Sequence, residues 1–254
     1  MKKLLPAILI AVLVLSCAPA NKIARYRLDV LEEYPHDTLA YTQGLFFSEG
    51  RLFETTGQYG ESTLREVNLY NGIPSRQICM QKEIFGEGSC EIEGKIYMLT
   101  WLEGICLVYD RDTFSPAGQF PNRRQGWGLT TDGSQLIMTD GSAQVYFVRP
   151  SDFSIIRSIT VRRGGKSVNL LNELEYIDDR IWANIYTKDE IIIIDPATGN
   201  VEAEIDCKGL LPKELRTGRT DVLNGIAYNP ADGSIYITGK YWPRMYKIAL
   251  KEKR

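Results

Sequence analysis

A carboxylate sits between two glycines in Gly86-Glu87-Gly88, just ahead of the alternating run Ser89-Cys90-Glu91-Ile92. Glycine on both sides lets the backbone turn tightly and come close to a ligand. An acid placed in this way can take up a proton and hand it on, the work of a general acid–base group. A solvated acid in a turn has the same local sequence, because motifs this short are weak. Glu87 rises above that reading because its setting recurs four more times along the chain.

The recurrence has a period of roughly 40 to 52 residues, the range of propeller blades. First strands are predicted at 44–47, 88–92, 128–131, 173–176 and 225–228, each followed by a turn and a second strand, as at 136–139 and 235–238. The residues just before the first strands are Gln43, Glu87, Trp127, Asn172 and Asn224. Where the second strands run out stand Gly57, Trp101, Gly141, Tyr186 and Lys240. Antiparallel pairing sets the start of strand one beside the end of strand two, so both sets lie on one face. The expectation is a concave pocket walled by Trp101, Trp127 and Tyr186, with one carboxylate, amides and one ammonium at its floor. Gly57 and Gly141 are expected to leave room on one side. The plainer alternative is that the aromatics fill blade interfaces and that Asn172 and Asn224 only fix turns.

The elements that must hold these groups are strands. Runs such as 51–54, 63–69, 95–99 and 144–148 alternate, and 191–194 is wholly apolar, as suits a strand buried on both faces. Asn71-Gly72, Asp132-Gly133 and Asp232-Gly233 punctuate them as turns. The one helical candidate is short, at 211–215. Five units of about four strands give an all-β, five-bladed β-propeller. The last unit stops short, and the N-terminal strand at 25–31 is expected to supply its outer strand and close the ring. A two-sheet sandwich is the competing architecture.

The 254 residues carry a net charge of −2, so there is no basic excess and nucleic acid is not an expected partner. The single histidine rules out a zinc site built on two or three imidazoles. A Ser-His-Asp or Cys-His arrangement would need His36, which is expected in a surface loop. At the start, Lys2-Lys3 precedes an apolar run, 4–15, too short to span a bilayer. Val14-Leu15-Ser16-Cys17 resembles a bacterial lipoprotein signal. That resemblance implies a removed leader (1–16), a lipid on Cys17, a tether (17–23) and one domain (24–254) on the periplasmic or cell-surface side of a bacterial membrane. An ordinary secretory signal is the alternative. Four other cysteines permit two bridges. Cys90 and Cys106, predicted on neighbouring strands, are the favoured pair, with buried free thiols as the alternative for these and for Cys79 and Cys207.

The residues of the two sets also carry a resemblance. Tyr41-Thr42-Gln43-Gly44-Leu45, Phe85-Gly86-Glu87-Gly88, Leu99-Thr100-Trp101, Gly126-Trp127-Gly128-Leu129, Leu171-Asn172-Glu173-Leu174, Trp182-Ala183-Asn184, Leu223-Asn224-Gly225 and Thr238-Gly239-Lys240-Tyr241-Trp242-Pro243 follow in order along the chain. The ordered set resembles the glutaminyl-peptide cyclotransferases of the plant and bacterial type. The resemblance implies a metal-independent, cofactor-free propeller that turns the N-terminal glutamine of a peptide or protein into pyroglutamate and releases ammonia; a monomer is the separate expectation for its assembly. It places the site at Gln43, Glu87, Trp101, Trp127, Asn172 and Lys240, with Tyr41 and Phe85 as aromatic neighbours. Tyr186 stands where relatives have a third tryptophan, which keeps a wall but alters its size and adds a hydroxyl.

On that reading Glu87, the lone acid of the two sets, carries the proton between the attacking amine and the departing nitrogen. Lys240 or Asn172 faces the carboxamide oxygen, and Gln43 and Asn172 hold the ring-closing conformer. Burial would raise the Glu87 pKa and Lys240 would lower it, and the sequence leaves that balance open. A non-catalytic, membrane-tethered propeller that binds a small ligand or protein partner is the alternative. A sugar-binding or lyase propeller also suits tryptophan walls but lacks a second carboxylate for glycoside hydrolysis.

Overall fold

A computed structural model describes residues 22–253. The first strand, β1 (Ala24–Pro35), is followed by blade 1: β2 (Thr42–Ser48), β3 (Arg51–Thr56), β4 (Thr63–Val67) and β5 (Pro74–Cys79). Blade 2 is β6 (Gly86–Ile92), β7 (Lys95–Thr100), β8 (Ile105–Asp110) and β9 (Pro116–Pro121). Blade 3 is β10 (Leu129–Thr131), β11 (Leu136–Thr139), β12 (Gln144–Val148) and β13 (Ile155–Thr160). A short hairpin, β14 (Arg162–Arg163) and β15 (Lys166–Ser167), turns at Gly164-Gly165 and was not anticipated. Blade 4 is β16 (Leu171–Ile177), β17 (Arg180–Ile185), β18 (Glu190–Ile194) and β19 (Val201–Asp206). Blade 5 is β20 (Leu223–Asn229), β21 (Ser234–Gly239) and β22 (Arg244–Glu252), completed by β1. The helical candidate shrinks to a single 3-10 turn, Lys213–Leu215, because Pro212 leaves too little chain before Arg216 turns extended.

Five apolar clusters form, one at each junction between successive blades. Leu45, Leu52 and Val67 of blade 1 meet Ala227, Tyr236 and Met245 of blade 5. Phe46, Phe53 and Leu64 of the same blade meet Ile96, Met98 and Tyr109 of blade 2. Adjacent residues such as Leu52 and Phe53 thus serve opposite neighbours, as the twofold alternation of a strand requires. The other three clusters join blades 2 and 3, 3 and 4, and 4 and 5. The innermost strands touch in the cycle β2, β6, β10, β16, β20 and back to β2. This closed ring excludes the two-sheet sandwich.

The closure is more extensive than expected. β1 runs antiparallel to β22 from Tyr26–Glu252 to Pro35–Arg244. Its first residues also run parallel to β19, from Ala24–Ala203 to Arg27–Asp206. One strand therefore completes blade 5 and ties it to blade 4.

Two expectations are corrected. His36 is buried, not in a surface loop: Nδ1 donates to the Trp242 carbonyl at 2.7 Å, and Nε2 lies 3.0 Å from Glu54 Oε1. Glu54 also accepts from Thr42 Oγ1 at 2.6 Å and from Arg65 at 2.7 Å. Burial alone would push its carboxyl up, but Arg65 and His36 hold it well below the ordinary range. Cys79, Cys90, Cys106 and Cys207 are free thiols, the first exposed and the other three buried. Cys90 on β6 and Cys106 on β8 flank β7 rather than neighbour each other. Two strand spacings put their backbones about 9.5 Å apart, beyond the roughly 7 Å a disulfide can bridge. Both pack in the cluster between blades 2 and 3, and burial raises both thiols.

Candidate active site

Four of the five residues expected just before the first strands lie inside them, at breaks in the ladder. The register slips between Thr42 and Gly44, leaving Gln43 unpaired. It slips again around Glu87 (Gly86 to Ser89), Asn172 (Leu171 to Leu174) and Asn224 (Leu223 to Ile226). A bulge frees a side chain from strict alternation and re-aims it. In blade 3 Trp127 does precede β10, and its N–H donates to the Thr139 carbonyl at 3.2 Å.

The second set follows the second strands, as expected. Gly57 donates to the Tyr41 carbonyl at 2.9 Å, Trp101 to Phe85 at 3.0 Å, Tyr186 to Leu170 at 2.8 Å and Lys240 to Val222 at 2.9 Å. The repeated bond holds both sets on one face of the ring.

There a cavity of about 220 Å3 opens. Its lining includes the polar Gln43, Glu87, Asn172 and Lys240 and the aromatic walls Tyr41, Phe85, Trp101, Trp127 and Tyr186. Drug-sized pockets run from about 300 Å3 upward, so this one suits a single residue end. Asn224 does not line it; its amide donates to the Thr42 carbonyl at 2.9 Å and approaches Gln43 Oε1 at 3.4 Å. Gly57 and Gly141 leave no free room. A Cβ on Gly57 would meet the Phe85 ring at 2.5 Å, and one on Gly141 the Trp127 ring at 2.6 Å. The glycines seat the walls instead. Gln58 also lines the cavity and was missed as a site residue. Its signal was its place directly after Gly57; its φ of 91° is a conformation few side chains adopt.

The electrostatics turn on burial. Glu87 is 5% exposed, and burial raises its carboxyl well above the usual range. Lys240 opposes this and Glu103 adds to it, so desolvation wins the balance the sequence left open. The Lys240 ammonium is held down to about 8 by burial, against the pull of Glu87 and Asp221. It donates to Gln43 Oε1 at 2.7 Å and lies 4.3 Å from the Tyr41 ring centroid. Asn172 Oδ1 is buried without a partner among the described residues. Phe85 stands 5.4 Å from Trp101, and Tyr186 meets Trp127 edge-on at 5.6 Å. Among the described residues no three His, Cys, Asp or Glu side chains cluster as metal ligands would. The arrangement can hold a small polar end between rings, take or give a proton at Glu87 and donate hydrogen bonds from Lys240.

The profile of the glutamine cyclotransferase family matches residues 4–250. The chain belongs to that family. It is 37% identical over 229 residues to the glutaminyl-peptide cyclotransferase of Arabidopsis thaliana, covering 89% of this chain and 72% of that one. The crystal structure of Myxococcus xanthus glutaminyl cyclase superposes with a TM-score of 0.85 at 33% identity, covering 92% of this chain and all of that one. The WD40 β-propeller domain of Doa1 shares the fold alone, at a TM-score of 0.50 and 10% identity over 81% of this chain and 62% of that one.

Proposed function

We propose that the chain is a glutaminyl-peptide cyclotransferase whose reaction runs in the cavity around Glu87. It converts the N-terminal glutamine of a peptide or protein to pyroglutamate. The observation that carries this reading is a buried carboxyl in a one-residue cavity walled by aromatic rings.

The substrate's α-amine attacks its own side-chain carboxamide carbon. One C–N bond forms, closing the lactam, and one breaks, releasing ammonia. The amine must be neutral to attack, and its ordinary pKa is about 8. A carboxyl raised toward that value exchanges a proton with the amine at little cost, which is where general acid–base catalysis works best. Glu87 accepts a proton from the attacking nitrogen and delivers one to the departing nitrogen, returning to its starting state. Lys240 donates to the carboxamide oxygen as negative charge develops there, worth roughly 3–4 kcal/mol in a dry site. Asn172 Oδ1, without a partner among the described residues, accepts from the substrate amine. The tryptophans and Tyr186 confine the glutamine chain to its ring-closing shape, a large share of the rate for an intramolecular reaction.

The test is ammonia release from a peptide that begins with glutamine, with an asparagine-initiated peptide as control. Release from the first alone is expected; release from neither leaves a ligand-binding propeller. We also infer that the chain is exported and lipid-anchored through Cys17, on the strength of Lys2-Lys3, the apolar run and Leu15-Ser16-Cys17. Residues 1–21 lie outside the described part of the chain. A mass of the mature protein matching an acylated Cys17 is expected; an intact leader would overturn the inference.

A further inference from the structure

The two tryptophan walls belong to different blades. Trp101 follows β7 in blade 2, and Trp127 leads into β10 in blade 3. One side chain outside the cavity joins them: Gln125 Oε1 accepts from the indole N–H of Trp101 and of Trp127, each at 3.1 Å. An indole N–H can only donate, so the amide must turn its oxygen toward both rings.

The loop that carries Gln125 is held on both sides of it. Arg124 N–H donates to Asn122 Oδ1 at 3.2 Å, and Gly126 N–H donates to the Thr100 carbonyl at 3.0 Å. A Cβ on Gly126 would lie 2.5 Å from that carbonyl, so the loop presses on the end of β7 where only glycine fits. Phe85 and Tyr186 support the two indoles through ring contacts, which tolerate a range of tilts. The shared oxygen is directional and couples the two rings to each other.

We infer that Gln125 is a positioning residue for substrate binding: it sets the spacing and tilt of the Trp101 and Trp127 walls against the N-terminal residue of the substrate. The inference rests on the cyclotransferase reading of the cavity. Gln125 is exposed, so its replacement spares the core.

The experiment pairs 1H–15N spectra of the indole N–H groups with steady-state kinetics on a glutamine-initiated peptide, for the wild type, Gln125→Ala and Gln125→Glu. The chain has four tryptophans. Trp242, which donates to the Asp221 carbonyl at 2.9 Å, and Trp182 serve as internal references. In Gln125→Ala the Trp101 and Trp127 signals are expected to move while the references stay. KM is expected to rise roughly three- to tenfold, the worth of about one neutral hydrogen bond, with a smaller change in kcat. Gln125→Glu keeps an oxygen able to accept from both indoles and is expected to restore both readouts. Unmoved indole signals in Gln125→Ala would overturn the clamp, and moved signals with an unchanged KM would overturn its role in binding. The indole spectra need no turnover. A wild type that releases no ammonia therefore sinks the cyclotransferase reading while the spectra still decide the clamp.

Discussion

Replacing Lys240 with methionine is expected to stabilise the fold at neutral pH while removing activity. Burial holds the ammonium at about 8 instead of 10.5. At about 1.4 kcal/mol per pKa unit, keeping it charged at pH 7 costs the fold about 3 kcal/mol. Methionine removes that cost but forfeits the 2.7 Å bond to Gln43 Oε1 and the approach to the Tyr41 ring, together about 1–2 kcal/mol. Glu87 loses its nearby cation, which raises its carboxyl further and favours the neutral form. The net gain is about 1–2 kcal/mol, or roughly 2–8 °C in Tm for a chain of this size. The pH dependence carries the decisive sign. Between pH 8 and 10.5 the folded wild type binds fewer protons at this group than the unfolded chain, so wild-type stability rises with pH there. The advantage of Lys240→Met should be full below pH 8, shrink through that window and reverse above it. Urea unfolding of both proteins at pH 7, 9 and 10.5 measures it. A variant less stable than wild type at pH 7, or a difference indifferent to pH, would refute the claim that the ammonium is buried at a cost.

Glu87→Gln should lower kcat by about two to four powers of ten with the fold intact, since the amide cannot shuttle a proton; full turnover would remove Glu87 as the proton carrier. Trp127→Ala should raise KM about tenfold through lost ring contact with substrate and with Tyr186, and an unchanged KM would place the ring outside the binding surface. His36→Ala should cost about 2–4 kcal/mol in urea unfolding, because it strips a partner from both the Trp242 carbonyl and the buried Glu54 carboxylate. Wild-type stability in that variant would return His36 to the surface role first expected of it.

Much of the fold was legible because it is written five times. One alternating run is ambiguous, but a run repeated in register restricts the architecture to a ring. The repeat also named which positions share a face, and that is why Gln43, Glu87, Trp101, Asn172 and Lys240 could be grouped although up to 197 residues separate them. What stayed hidden depends on contacts between units rather than within them. The parallel pairing of β1 with β19 joins the first described strand to the outer strand of blade 4 and leaves no local pattern. His36 looked like a loop residue because its partners, Trp242 and Glu54, come from blades 5 and 1. Cys90 and Cys106 looked adjacent because strand adjacency was judged from sequence order, which cannot show that β7 lies between them.

The deeper reason the site reads as a repeat lies in the inner strands. A regular strand near the axis would send alternate side chains into the two flanking blade interfaces and leave none for a ligand. The bulges at Gln43, Glu87, Asn172 and Asn224 break that alternation, and each supplies one residue aimed elsewhere. The residue after the aimed one must then let the next blade come close. At Gly88 a Cβ would lie 2.5 Å from the Trp127 carbonyl oxygen, and at Gly44 one would lie 2.6 Å from Ser89 N. Hence the recurring pairs Gln43-Gly44, Glu87-Gly88, Trp127-Gly128 and Asn224-Gly225. The exception is Asn172-Glu173. There the carboxyl of Glu173 accepts the Ile226 N–H at 2.9 Å and takes up buried space near the axis between blades 4 and 5, and burial pushes it well above the ordinary range. Blade 4 thus bridges to its neighbour with an acid where the others approach through glycine. That acid is turned to the backbone, which leaves Glu87 as the inner-strand carboxyl that faces the cavity.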